Sequence, residues 1–182
     1  MRLLVLPCVL ALAACDPAVS RRALVASGGD QPLPGLWALM EPDCAQPRDG
    51  AVQTWPACAT PVWVQPGEAT VLPPATVPGE AAPAPIRTAF VLAAGEPRIL
   101  QFEAEADGSQ PRFGYYALRT SGPAPYRSAL MWIVTCEGGR GEASTGEGDL
   151  ECLVEDEAEL RRLARNVVRE PSHGRAAYIG PG

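Results

Sequence analysis

The 182-residue chain lacks lysine altogether, and His173 is its single histidine. Its six cysteines include no Cys-x-x-Cys pair, the spacing typical of zinc ribbons and dithiol redox sites. We therefore predict neither a metal site nor a cofactor. Fifteen arginines face 21 acidic residues, which gives a net charge of −6. Because no basic patch stands out, nucleic-acid binding is not predicted.

Recognisable catalytic motifs are also missing. Serine-hydrolase, zinc-protease and phosphate-loop patterns do not occur, so we predict no catalytic residues and no enzyme. His173 follows Pro171 and Ser172, and we interpret it as an exposed loop residue. The acidic residues at positions 147–159 lack the ligand spacing of a calcium loop and are interpreted as solvated. A hydrolase without a recognisable motif stays open as an alternative to the two binding functions given at the end of this subsection.

The longest apolar run near the N-terminus is residues 3–12, preceded by the positive charge of Arg2. A membrane-spanning helix needs about 20 apolar residues, so this run is too short to be one. A charged start, a short apolar core and small residues before a cleavage point are typical of an export signal. The sequence therefore predicts export from the cytoplasm.

The four residues Leu12-Ala13-Ala14-Cys15 resemble the lipobox of bacterial lipoproteins. This resemblance implies that residues 1–14 are a signal peptide and that Cys15 carries a diacylglyceryl group with fatty chains such as palmitate. Membrane attachment through this lipid would place the protein in the bacterial cell envelope, facing the periplasm, on the inner or outer membrane. The alternative is an ordinary signal peptide that is cut elsewhere.

Four cysteines remain after the signal peptide and Cys15 are set aside: Cys44, Cys58, Cys136 and Cys152. An even number in an oxidising compartment indicates two disulfides. Of the three possible connectivities we predict the local one, Cys44–Cys58 and Cys136–Cys152. Each loop would contribute about 3 kcal/mol, mainly by restricting the unfolded chain.

After the signal, residues 15–34 are rich in Ser, Gly and Pro without a sustained period and are predicted to be a lipidated, flexible tether. Residues 35–182 are predicted to be a single disulfide-stapled, β-rich domain. Short strand patterns separated by Pro and Gly are predicted at residues 36–40, 61–65, 86–93, 98–106, 113–120, 128–136 and 176–179.

One helix follows these strands in the sequence. Asp156 and Glu159 have the spacing of a capping box, apolar residues recur on one face up to Val168, and Pro171 ends the pattern. The expected fold is therefore mainly β with one C-terminal helix. We predict a small antiparallel barrel, or a curved sheet, packed by that helix.

Gly35-Leu36-Trp37 resembles the Gly-x-Trp start of lipocalins, small ligand-holding barrels with a late helix and a following strand. The resemblance implies a carrier of a small apolar ligand, which is our alternative function. Our first expectation is a protein-interaction, structural or inhibitor module whose partner is an envelope protein that the sequence does not identify. The tryptophans are interpreted as core and interface aromatics.

Overall fold

The computed structural model describes residues 17–48, 52–73, 83–104, 111–136, 152–166 and 174–181. The strands within these ranges are β1 (Ala18–Ser20), β2 (Gly35–Met40), β3 (Ala59–Gln65), β4 (Glu68–Val71), β5 (Ile86–Ala93), β6 (Arg98–Ala104), β7 (Arg112–Ser121), β8 (Ser128–Ile133), β9 (Cys152–Leu153) and β10 (Gly174–Gly180). A 3-10 helix covers Val52–Thr54, and helix α1 covers Glu157–Asn166. The prediction of a mainly β fold with one late helix is confirmed.

Eight strands, β2 to β8 and β10, form a closed antiparallel barrel. Strands that are consecutive in the chain pair with each other from β2 to β8. After the helix, β10 lies between β8 and β2 and completes the ring. The sequence left open whether the sheet closes, and it does.

The barrel interior follows from the two-residue alternation of the strands. Paired residues such as Trp37 and Val62, or Phe90 and Phe102, have side chains on the same face of the sheet. One apolar cluster draws members from all eight barrel strands, which identifies it as the interior. Its buried members are Trp37, Phe90, Leu92, Leu118, Tyr126, Ala129 and Ala176.

Two further apolar layers cover the outside of the barrel. Helix α1 and the segments flanking β1 and β9 pack on the outer face of β5 to β8, where Ile99 and Trp132 are buried. The indole N–H of Trp132 donates to the carbonyl of Ala164, 3.1 Å away, and ties the helix to β8. The loop between β2 and β3 covers a second patch built around Met40 and Ala59.

The start of helix α1 agrees with the capping pattern predicted from the sequence. The backbone N–H of Glu159 donates to the Asp156 carboxylate at 2.8 Å, which is one half of the predicted capping box. Arg161 forms an ion pair with Glu157 one turn earlier, at 2.7 Å. The predicted end of the helix at Val168 lies outside the described residues.

The prediction of a flexible tether over residues 15–34 is wrong for the part that the structure describes, residues 17–34. Ala18–Ser20 is strand β1, which pairs antiparallel with β7 and parallel with β9. Val25 is buried in the outer layer beneath helix α1. Tertiary pairing with distant strands orders this segment, although its local sequence resembles a linker.

Candidate functional site

The structure separates the predicted site residues into three groups. Cys15, the predicted lipidation site, lies outside the described residues, as does His173. Both predicted disulfides are present, Cys44–Cys58 and Cys136–Cys152. The Gly-x-Trp residues lie at the start of β2, the first barrel strand. Neither the disulfides nor Trp37 forms a reactive centre, because each of them is part of the packing.

Trp37 closes one end of the barrel. Its side chain is 3% exposed, and its indole N–H donates to the Leu33 carbonyl at 2.8 Å. The rings of Tyr126 and Tyr178 contact it edge-on, with ring centres 6.2 and 5.9 Å away. Gly35 has a φ of +140°, and a Cβ atom there would lie 2.5 Å from the Gly180 carbonyl oxygen. The Gly-x-Trp pattern therefore has a structural explanation at this position.

Tyr126, in the connection between β7 and β8, lies at the same closed end of the barrel. The guanidinium of Arg98 lies 5.9 Å from the centre of its ring and forms an ion pair with Asp30 at 3.1 Å. Burial raises the pKa of Tyr126 to about 12, against a smaller lowering by Arg98. We call this region the Tyr126 end. The charged and aromatic side chains of this region contact one another, and together they fill this end of the barrel.

Interior side chains nearer the other end of the barrel are only partly buried. Phe102 stacks on Tyr116 with ring centres 5.4 Å apart, and Met131 and Leu39 belong to the same cluster. A Cβ atom at Gly114 would lie 2.5 Å from the Phe102 ring, so this glycine makes room for the ring. Solvent reaches these apolar side chains, whereas Trp37 and Tyr126 at the Tyr126 end are only 3% and 4% exposed.

An apolar groove of about 300 Å³ lies at the rim of this second end, and we call it the rim groove. Four segments form it: the 3-10 helix with the residues after it, the start of β3, the end of β4 and the start of β5. The described residues that line it carry no charge. They are Val52, Gln53, Trp55, Pro56, Ala57, Ala59, Thr60, Pro61, Val71, Leu72, Pro73, Pro83, Ala84 and Ile86.

Two groups make the rim groove unusual. Ile86 is 65% exposed, more than Ile133 at 46%, the other exposed large apolar side chain within the described ranges. The indole N–H of Trp55 is buried and has no hydrogen-bond partner within the described residues. An unpaired buried donor costs about 1–3 kcal/mol, so such a group is rarely kept without a reason.

The groove wall that carries Trp55 is held rigidly. The Trp55 backbone N–H donates to the Val52 carbonyl at 3.1 Å, which closes the 3-10 turn. Cys58, three residues further on, is bonded to Cys44. The carbonyl of Cys44 in turn accepts a 2.6 Å hydrogen bond from Arg175 on β10. The disulfide therefore fixes one wall of the groove against the barrel.

Sequence reasoning grouped Trp55 with the core tryptophans and missed the rim groove. Its lining comes from segments up to 34 positions apart, from Val52 to Ile86, which only the folded chain brings together. The available signal was the high proline content near β3 and β4. A second, shallow depression of about 430 Å³ involves only Gln46, Pro47, Arg48, Tyr178 and Ile179.

Other kinds of site were sought in the described part of the chain. There, no group of three or more His, Cys, Asp or Glu residues is arranged to hold a metal ion. Within the same ranges, no helix combines the length and apolar character required to cross a bilayer. The rim groove is therefore the candidate site that the described residues support best.

Comparison of the chain with protein-family models, with curated proteins and with solved structures found no match.

Proposed function

We propose that this chain is a lipid-anchored protein of the bacterial cell envelope that binds an extended segment of a partner protein in its rim groove. The anchor is the diacylglyceryl group on Cys15, and the barrel is the platform that presents the groove. The observation that carries the binding role is the uncharged groove lining among the described residues, in which the exposed Ile86 and Trp55 both take part. The protein is proposed to act by binding rather than by catalysis.

The envelope location is supported by two independent features. The lipobox-like residues Leu12-Ala13-Ala14-Cys15 supply the attachment point. The disulfides at Cys44 and Cys136 fit an oxidising compartment outside the cytoplasm, because thiols stay reduced inside it. Two acyl chains are sufficient for stable anchoring at about 0.8 kcal/mol per buried CH₂ group.

The composition of the groove favours a proline-containing, extended peptide as the occupant. Such peptides are already extended in solution, so they lose little entropy on binding, and aromatic-lined grooves recognise them. The exposed Ile86 and the ring of Trp55 would pack against the peptide's apolar rings.

The binding role is tested with the lipidated protein in detergent micelles. A displayed library of proline-containing peptides is selected against the oxidised protein. Binding of the selected peptides is then followed through the indole ¹⁵N–H resonances of the tryptophans. We expect the Trp55 signal, assigned with Trp55→Phe, to shift when a peptide covers its ring, while the Trp132 signal stays in place.

Ile86→Asp and Ile133→Asp form a matched pair for this test. Both isoleucines are exposed, at 65% and 46%, but only Ile86 lines the groove. We expect Ile86→Asp to abolish peptide binding and Ile133→Asp to leave it unchanged. Equal binding by the two variants, or failure to select any peptide, would overturn the proposed role of the groove.

The anchor has its own test. Cys15→Ser should abolish incorporation of labelled fatty acid and leave the signal peptide uncleaved at this position. Labelling that persists in the variant would refute attachment at Cys15.

A carrier of a small apolar ligand is the second candidate. The closed eight-stranded barrel is compatible with lipocalin-like proteins without being specific for them. The partly exposed Phe102, Tyr116 and Met131 favour it, because they leave apolar surface inside the barrel. An apolar fluorescent probe that binds the protein and is lost on Met131→Arg, but not on Ile86→Asp, would favour the carrier over the interaction module.

A further inference from the structure

Beside the rim groove, the outer face of the barrel carries a tryptophan that belongs to none of the packed layers. Val62 pairs with Trp37 and shares its interior face, so the next residue, Trp63, points outward. Trp63 is only partly buried, and it is absent from the three apolar clusters found among the described residues. A large aromatic ring in such a position is a candidate contact for another molecule.

Trp63 lies next to the rim groove. Pro61 lines the groove and precedes Trp63 by two residues on the same face of β3, about 7 Å along the strand. On β4, the N–H of the groove residue Leu72 donates to the Pro61 carbonyl at 2.9 Å. Thr70, also on β4, is the direct neighbour of Trp63. A segment that leaves the groove along β3 and β4 therefore passes over the Trp63 ring.

The same row of side chains ends on β5 with an unpaired cation. Arg87 is the direct neighbour of Thr70 and is exposed. Glu68 lies diagonally across the pair of β4 and β5, where Cβ atoms are about 7 Å apart, and no ion pair joins it to Arg87. The arginines that form ion pairs among the described residues are Arg98, Arg119, Arg161 and Arg162. We call Trp63, Thr70 and Arg87 the outer row.

From the outer row we infer that the partner segment is acidic as well as proline-containing: one of its prolines stacks on Trp63, and a carboxylate about three residues away pairs with Arg87. This inference rests on the proposed function and adds the charge and spacing of the segment. Strands β3 and β5 are about 10 Å apart, and an extended proline-type peptide rises about 3.1 Å per residue, which sets this separation. Charge complementarity selects an acid, because the groove lining is uncharged and Arg87 adds a guanidinium beside it.

The charge of the segment is tested by peptide selection against the lipidated protein in neutral detergent micelles. Asp, Glu, Lys and Arg occur equally often in the displayed library, and we expect Asp or Glu to be enriched about three positions from a proline. The best peptide, and a counterpart with glutamine in place of the acid, are titrated against the unaltered protein and Arg87→Gln. Either change should weaken binding by about 1.5- to 5-fold, the range of an exposed ion pair, and the two together should cause no further loss.

Arg119→Gln is the matched control. It removes the same charge at the Tyr126 end of the barrel, where Arg119 pairs with Glu96, and should leave the affinity unchanged. Trp63→Ala should weaken binding about tenfold, and Trp63→Phe, which keeps an aromatic face, should recover most of that loss. The indole resonance of Trp132, whose N–H bonds to Ala164, reports whether each variant is folded.

The results distinguish failure of the outer row from failure of the groove. If no peptide is selected, or if Ile86→Asp and Ile133→Asp bind equally, both the groove and the outer row are refuted. Selected peptides without enriched acids, or equal affinities of Arg87→Gln and Arg119→Gln, would overturn the acidic contact and leave the groove in place. Unchanged affinity of Trp63→Ala would do the same for the aromatic contact.

Discussion

Gln101→Leu tests how the N-terminal segment, residues 17–25, is held against the outer face of the barrel. The substitution keeps the side-chain size but removes the acceptor for two buried N–H groups, those of Leu24 and Val25. An unpaired buried donor costs about 1–3 kcal/mol, so docking of the segment should weaken by about 2–6 kcal/mol. The barrel itself should remain folded, because Gln101 lies on its outer face beneath the segment.

Amide hydrogen exchange measures this loss residue by residue. Since every 1.4 kcal/mol is a factor of ten, exchange at Leu24 and Val25 should accelerate by at least about 25-fold. The exposed Arg21 should also become a faster site of tryptic cleavage. Gln65→Leu, at an exposed position that ends β3, is the control and should change neither reading. Unchanged exchange at Leu24 in the Gln101→Leu variant would refute the role of the Gln101 side chain in holding this segment on the barrel.

Three further predictions concern the barrel and its loop. Gly114→Ala should destabilise the protein by about 1–3 kcal/mol in urea unfolding, because the new Cβ meets the Phe102 ring at 2.5 Å; Phe102→Leu should recover part of that loss, and an additive double variant would contradict the contact. Raising the pH from 10 to 12 should destabilise the protein, because the unfolded chain ionises Tyr126 at its ordinary pKa of 10.0 whereas the folded pKa is about 12. This contribution of about 2–3 kcal/mol is fully present below pH 10 and lost by about pH 12, and Tyr126→Phe should flatten the stability profile there; an identical profile would show that another group dominates. Combined Cys44→Ser and Cys58→Ser should lower the free energy of unfolding by about 3 kcal/mol in the oxidised protein and weaken peptide binding in the groove, whereas a variant that binds peptide normally would show that the disulfide does not hold the groove wall.

The barrel strands were predictable because their signals are local. Alternating apolar residues and Gly-Pro turns define β5 to β8, and the spacing of Asp156 and Glu159 defines the start of the helix. The two disulfides followed from parity and short sequence separations of 14 and 16 residues. These features depend on residues close together in the chain, which is where sequence patterns carry most information.

The features that were missed depend on contacts between distant residues. Strand β1 has three residues, and its partners are β7 and β9, about 95 and 134 positions further along. Strand β4 was not among the predicted strands, and pairing with β3 and β5 orders it. No local pattern encodes such pairings. The rim groove was hidden for the same reason, because its walls meet only after the barrel has closed.

The place of β10 in the ring has a consequence for how the protein matures. This strand, Gly174–Gly180, joins β8 to β2, so every shorter nascent chain leaves both of those strands with an unpaired edge. Unpaired edges are templates for aggregation, and a product truncated by a premature stop codon before Gly174 would carry two of them. A chain that stops before Gly174 is therefore an open sheet with two exposed edges, and only the chain that includes β10 forms a complete ring.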